Sequence, residues 1–236
     1  MILLRLAVVF LTRIRLPLPE TLPDGALARS SLFFPLVGAA IGALIGLLFW
    51  LANLALPAMP AALLAIGGGI LLTGGLHEDG LADCADGFGG GKSREDKIRI
   101  MRDSAIGSYG ALALILSVGL RATALADIAR PVAAMAVAHG VARATLPVAM
   151  ALMPAASDSG VAAGAGKPRA WQATVAALLA LALAAAFGNV VILAAAIGGA
   201  ALCALVAYRQ IGGYSGDVLG AMEQIAEMAA LLAAAS

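Results

Sequence analysis

The sequence predicts an all-α, polytopic integral membrane helix bundle of six or seven transmembrane helices, and three observations carry that expectation. The 236-residue chain is 62% hydrophobic and 12% charged, with a mean hydropathy of +0.98, a balance typical of integral membrane proteins. Apolar runs of membrane length recur along it. Between two of them lies one dense polar insert, residues 73–110, in which 7 of the 14 acids fall between His77 and Asp103. The chain reads as a single membrane domain over 1–236. Three parts stand out: an N-terminal interfacial segment (1–31), a cytoplasmic acidic motif loop (77–106), and a C-terminal motif and helix (210–236).

The first 19 residues are apolar but interrupted by Arg5, Arg13 and Arg15, and no small-residue cleavage site follows. That pattern argues against a signal peptide and for an amphipathic helix at the interface, its arginines toward headgroups. Pro17, Pro19 and Pro23 then enforce an irregular link to Arg29. Spans follow at 32–56, 58–76, 107–126, 131–153, 171–187 and 190–207, with the last two joined by a Gly188-Asn189 turn. The segment 217–235, with Glu223 and Glu227 on one face, reads as a seventh span or an interfacial helix. Small residues at Gly38, Gly42, Gly46 and Gly67 to Gly69 suit close helix packing in lipid. No internal repeat argues for an inverted-repeat transporter.

Lys and Arg positions set the orientation. Arg5, Arg13, Arg15 and Arg29, the insert, Lys167 with Arg169, and Arg209 all fall on one side of the predicted spans, whereas the other side has Asp127 and Arg130. The basic side, and the acidic motif with it, is predicted to be cytoplasmic. Three side chains inside spans need partners. Arg121, His139 and Arg143 would be expensive facing lipid, about 2.5–3.5 kcal/mol for an Arg at a helix centre. His139 and Arg143 are four residues apart and share a face. Arg143 is expected to point into a polar cavity and meet phosphate or a motif acid; for Arg121, snorkelling to an interface competes with that role. His139 reads more simply as a structural hydrogen-bonding residue.

In the insert, Asp79, Asp83 and Asp86 have the spacing i, i+4, i+7, which a helix would bring to one face. Like charges on adjacent turns repel, and a divalent cation would remove the conflict. Carboxylate and phosphate oxygens suit Mg²⁺, with Mn²⁺ as a substitute, whereas no Cys/His set here suits zinc. The competing reading is a solvated acidic helix end. Phe88-Gly89-Gly90-Gly91-Lys92-Ser93 is not a P-loop, because the pattern needs Gly where Asp86 stands; it reads either as a Gly hinge carrying Lys92 toward phosphate or as a plain turn. Gly212-Gly213-Tyr214-Ser215-Gly216-Asp217 offers Ser215 and Asp217 to a phosphate or its metal, with helix capping as the alternative. Cys84 and Cys203 form no disulfide or metal framework. A net charge of +1 and the lack of a basic, aromatic-laced stripe predict no nucleic-acid partner.

LHEDGLADCADGFGGG at 76–91 with IMRDSAIGSYG at 100–110 resembles the cobalamin synthase family (adenosylcobinamide-GDP ribazoletransferase), as do FLTRIRLPLP at 10–19, RSSLFFPLVGAAIGAL at 29–44 and GGYSGDVLGAMEQIAE at 212–227. The similarity runs nearly end to end. It departs at Ser215, where Thr is expected, and at Cys84, a position that is often Thr. The resemblance implies that the 5′ hydroxyl of α-ribazole, or of its 5′-phosphate, attacks a phosphorus of adenosylcobinamide-GDP. GMP leaves and adenosylcobalamin, or its 5′-phosphate, forms. Glu78, Asp79, Asp83 and Asp86 would hold Mg²⁺, with Glu78 and Asp103 as further ligands or the base. His77, Lys92, Arg102, Ser104, Arg143, Ser215 and Asp217 would bind substrate. A multi-pass protein of the bacterial inner membrane is implied, and a homo-oligomer stays open. Two rivals are a CDP-alcohol-type phosphotransferase, whose D-G-x2-A-R spacing is absent, and a cation transporter using the acids as an ion site.

Overall fold

The computed structural model describes residues 1–156, 166–186 and 190–236, and its elements among those residues are helices with no strand. In chain order they are α1 (Ile2–Leu11), α2 (Ala26–Ser30), α3 (Phe34–Ala52), α4 (Ala58–Thr73), α5 (Leu76–Gly90) and α6 (Arg94–Met101). There follow α7 (Ser108–Asp127), α8 (Pro131–Leu152), α9 (Ala170–Ala186), α10 (Val190–Ile211) and α11 (Gly216–Ala235). The all-helical membrane class is borne out. Five stretches are long and apolar enough to cross a bilayer: Ala26–Ala52, α7, α8, α10 and α11; the α4–α5 pair would make a sixth. Helix α9, with 17 residues, is shorter. The predicted Gly188-Asn189 turn lies outside the described residues.

Helix α8 is the axis of the bundle: every residue from Met135 to Ala144 is buried. It accepts α3 at backbone distance because α3 offers glycines there. A Cβ at Gly38 or Gly46 would sit 2.6 Å from the carbonyl oxygen of His139 or Pro131, and one at Gly42 would overlap the Met135 carbonyl. The predicted Gly38/Gly42/Gly46 stripe is therefore a helix-packing seam, gained through dispersion contacts that a bilayer cannot supply between bulkier residues. The second stripe is weaker, since Gly68 and Gly69 face Leu48 and Ile45 while Gly67 meets nothing.

Two parts differ from expectation. The predicted span 58–76 breaks at Gly74 and Gly75, both left-handed with φ of 75° and 70°, and the chain turns by 93° into α5. Only residues without a Cβ enter that conformation at no steric cost. The acidic motif is consequently not a loop: α5 and α6 are helices joined at Gly91–Ser93, with Ser93 capping α6 by accepting from the Asp96 amide at 3.1 Å. For the segment 217–235, of the two expected alternatives the span holds and the interfacial helix does not. Helix α11 lies in the core, with Val218, Ala226, Ala230 and Leu231 fully buried.

The N-terminal segment docks on the bundle. Leu6, Ala7 and Leu11 are buried, Phe10 stacks on Phe34, and the Arg13 amide donates to the Leu72 carbonyl at 2.8 Å. At the same end, Arg94 of α6 donates to the carbonyls of Ile211 (2.9 Å) and Ala156 (2.6 Å), and Lys97 bonds Gln210. Tyr214 and Ala155 form an isolated bridge that ties the C-terminal motif to the end of α8. Four segments far apart in sequence thus close over one end of the bundle.

Candidate active site

Beneath that closure lies a cavity of about 420 Å³. Helices α5 and α11 cross at its edge through Gly80 and Gly220: a Cβ on Gly80 would fall 2.6 Å from the Asp217 carbonyl oxygen. This contact sets the acids of the two motifs side by side. His77 and Asp79 of α5, Arg102 after α6, and Ser215 and Asp217 of the C-terminal motif line the cavity, as do the apolar Phe10 of α1, Leu27 of α2, Phe34 of α3, and Leu146 and Met150 of α8. Five of the predicted site residues, from three separate motifs, therefore meet in one place.

The acids of α5 divide by face. Asp79 is exposed and Asp83 half-buried, and neither has an ion-pair partner among the described residues. The charged neighbours acting on Asp83 are Asp79, Asp217 and Asp86, all of its own sign. Ser215 caps α11 by accepting from the Val218 amide at 3.2 Å, and its hydroxyl also reaches Asp217 at 3.3 Å. Arg102 supplies positive charge to Asp217. Asp86 is otherwise engaged: its two oxygens accept from the Gly107 amide (2.7 Å) and the Gly110 amide (2.9 Å), so it caps α7 from outside, where the helix dipole favours an anion.

Glu78 points away from this cluster. Its Oε1 lies 3.1 Å from Arg121 and 3.3 Å from the Gln224 amide nitrogen. It belongs to a buried network that also holds His77, His139, Arg143, Glu223 and Glu227. Arg121 bonds Glu227 at 3.1 Å as well as Glu78. Arg143, 1% exposed, bonds Glu223 and lies 3.3 Å from Glu227. His77 Nδ1 is 3.2 Å from Glu223, and His139 Nδ1 is 3.1 Å from Glu227. Three carboxylates thus face two guanidiniums in the bundle interior. Attraction in low dielectric offsets desolvation there only because the geometry is nearly complete.

Several expectations are corrected by this placement. Arg143 meets Glu223 and Glu227, not Asp79, Asp103 or the cavity. Arg121 does not snorkel. Lys92 is exposed and does not line the cavity; Gly89 and Gly90 continue α5, with Gly89 packed on Tyr109. Asp103 and Ser104 are exposed and also outside the cavity lining, and the Asp103 carboxylate closes a local turn by accepting from the Ala105 amide at 3.0 Å. Among the described residues, the side chains whose ligand atoms gather within 4.8 Å are His139, Glu223 and Glu227, not the aspartates of α5. The two glutamates of that set are already paired with arginine.

Sequence reasoning assigned no role to Glu223, Gln224 or Glu227, although a signal was present. His139/Arg143 and Glu223/Glu227 are both i, i+4 pairs inside apolar helices, and buried opposite charges at matched spacing call for each other.

Comparison with known proteins agrees with the motifs. The profile described as cobalamin-5-phosphate synthase matches residues 3–235. A protein of Bradyrhizobium diazoefficiens named adenosylcobinamide-GDP ribazoletransferase is 44% identical over 99% of this chain and 93% of its own length. Proteins of the same name from Rhizobium johnstonii (45%; 98% and 95%) and Leptothrix cholodnii (40%; 96% and 92%) are similar in the same way. No solved structure matches the chain.

Proposed function

The chain belongs to the cobalamin-5-phosphate synthase family, and on that premise we infer that it is an adenosylcobinamide-GDP ribazoletransferase, the enzyme of the nucleotide-loop assembly step in cobalamin biosynthesis. A ribose hydroxyl of α-ribazole, or of its 5′-phosphate, attacks the phosphorus next to cobinamide. The new O–P bond forms, the anhydride bond to GMP breaks, and the hydroxyl proton passes to a carboxylate at the cavity. One point of the sequence reading changes. A product that keeps a phosphate at position 5, as the family's description has it, was not joined through that oxygen, so the nucleophile is a secondary ribose hydroxyl.

The observation that carries this reading is the convergence of Asp79, Arg102, Ser215 and Asp217 on one cavity. Phosphoryl transfer needs positioning and charge neutralisation more than covalent participation by the protein. Arg102 answers pyrophosphate charge, and Ser215 can donate to a phosphoryl oxygen. The donor chemistry fits Mg²⁺ or Mn²⁺: Asp79, Asp83 and Asp217 are hard oxygen ligands of like charge, and the first two lack a cationic partner among the described residues. When bound there, the ion would neutralise charge on non-bridging phosphate oxygens. Glu78 and Asp86, both engaged elsewhere, support the site from behind.

We place the protein in the bacterial inner membrane with the cavity open to the cytoplasm. The one-sided clustering of Lys and Arg supports that orientation. The test is transfer of radiolabel from α-ribazole into cobalamin, with GMP release, by purified protein in detergent supplied with adenosylcobinamide-GDP and Mg²⁺. Absence of GMP release from well-folded protein would overturn the assignment.

A further inference from the structure

Resting on that reading, we propose that the cavity is the seat of α-ribazole, with its dimethylbenzimidazole base in the apolar part walled by α1, α3 and α8 and its ribose at the acids. Cobinamide then remains outside, reaching the site only through its pyrophosphate.

Size makes the first cut. A volume of about 420 Å³ suits a nucleoside-sized ligand, whereas a corrin macrocycle bearing its amide side chains does not enter it. Polarity makes the second. Three nucleoside-like groups take part in the reaction: the guanosine and the adenosyl group of one substrate, and the ribazole of the other. Guanine and adenine carry exocyclic donors and acceptors around the ring edge. Burial of each without a partner costs roughly 1–3 kcal/mol on mutational scales. The wall made by Phe10, Leu27, Phe34, Leu146 and Met150 offers no such partner. Of the two further hydroxyl side chains in the lining, Ser31 donates to the Ala28 carbonyl at 2.7 Å, and Tyr214 belongs to the C-terminal motif with Ser215 and Asp217. A dimethylbenzimidazole attached to ribose has one free ring nitrogen and two methyl groups, so it loses little by entering.

The aromatic pair supplies a matching surface. Phe10 and Phe34 have ring centroids 5.7 Å apart and planes within 8°, and both line the cavity. A flat bicycle gains dispersion and offset-stacking contacts against such rings. The other part of the cavity then receives the ribose, where Asp79, Ser215 and Asp217 stand within reach of its hydroxyls. The cavity is thus apolar where the base is apolar and acidic where the nucleophile must lose a proton.

The experiment has a binding arm and a kinetic arm. Equilibrium binding of α-ribazole to the wild-type protein in detergent should be competed by free 5,6-dimethylbenzimidazole and not by GMP. Competition by GMP alone would overturn the proposal. In the kinetic arm, Met150→Trp fills the cavity and should raise KM for α-ribazole by about tenfold or more, the loss of about 1.4 kcal/mol, while KM for adenosylcobinamide-GDP stays within about twofold. A rise confined to adenosylcobinamide-GDP, or no change in either constant, overturns it. Should Met150→Trp fail to fold, Leu146→Ala serves instead. The enlarged cavity should accept a ribazole analogue with a wider, naphthimidazole base better than wild type does, and no gain counts against the proposal. If wild-type protein binds α-ribazole in this way but releases no GMP, the functional reading fails while the subsite stands.

Discussion

Glu78 and Arg121 form an ion pair, Oε1 to Nη2 at 3.1 Å, that fastens the motif helix to α7 inside the bundle. Glu78 adjoins Asp79 in sequence, yet a residue step of about 100° around the helix separates their fates. One faces the cavity; the other faces a guanidinium. The most conspicuous cluster of acids in the sequence is therefore two structures: a site and its foundation.

Removing either partner should affect stability before chemistry. Arg121→Leu leaves Glu78 and Glu227 buried with one cation fewer, and losses of about 3–5 kcal/mol are usual when one member of a buried pair is removed. We expect a sharply reduced yield of monodisperse protein from detergent extraction, with Glu78→Gln milder because an amide still accepts from Arg121. Residual folded Glu78→Gln should show the wild-type dependence of rate on Mg²⁺. A weakened metal response would return Glu78 to the ligand set.

Asp83 and Asp217 should behave in the opposite way. Asn keeps the shape and removes the charge, so Asp83→Asn and Asp217→Asn should fold normally and lose turnover by at least about 100-fold, as when a charge-stabilising group is removed from an active site. Relief of like-charge crowding should leave their thermal midpoints equal to or above wild type. Chelation should silence the wild-type enzyme, and Mg²⁺ or Mn²⁺ should restore it. Near-normal turnover in both variants would leave the acids as a solvated helix end.

Asp86 separates capping from catalysis. Asp86→Ala abandons the Gly107 and Gly110 amides, each about 1–3 kcal/mol if left unsatisfied. The variant should unfold at a lower temperature, and turnover should recover on cooling. Activity lost at every temperature in a protein of unchanged thermal midpoint would show that the carboxylate acts on substrate.

The side chains that gather at the cavity were more legible in the sequence than the partners in the buried network, and the reason is range. Asp79, Asp83 and Asp86 could be set on one helix face because helical periodicity is local. The break at Gly74–Gly75 was equally local, but apolar residues on both sides masked it within the predicted span 58–76. Arg143 was recognisable as a buried charge needing a partner; that the partner is Glu223, 80 residues away, depends on α8 and α11 packing together. Asp86 illustrates the same limit, since its role depends on backbone amides of another helix. A side chain's type foretells that it must be satisfied, not by whom.

Topology can be tested without activity. Cys84 and Cys203 are both buried, so single cysteines introduced at Ser93, Lys167 and Ala129 can be labelled against a quiet background. An impermeant maleimide applied to intact cells should reach Ala129→Cys and spare the other two. Labelling of Ser93→Cys from outside would invert the bundle.

Arg143 decides whether the buried network is structural or reaches the substrate. Its guanidinium bonds Glu223, lies 3.3 Å from Glu227 and stands 3.5 Å from His77 Nδ1; it is not part of the cavity lining. His77 does line the cavity and is held by Glu223 at 3.2 Å. Arg143→Ala should strand two carboxylates and reduce folded yield first, by the same reasoning as for Arg121. Arg143→Lys keeps a charge for the two glutamates, which both meet Nη1, but loses the second nitrogen that reaches His77, so it should fold with intermediate yield. The KM for adenosylcobinamide-GDP should stay near wild type in the folded fraction, while kcat falls as His77 loses its fixed orientation. Yield and GMP release measured on the same preparations separate the cases. A KM that rises for adenosylcobinamide-GDP at unchanged yield would mean that Arg143 holds the pyrophosphate directly, and the network would then be part of the active site.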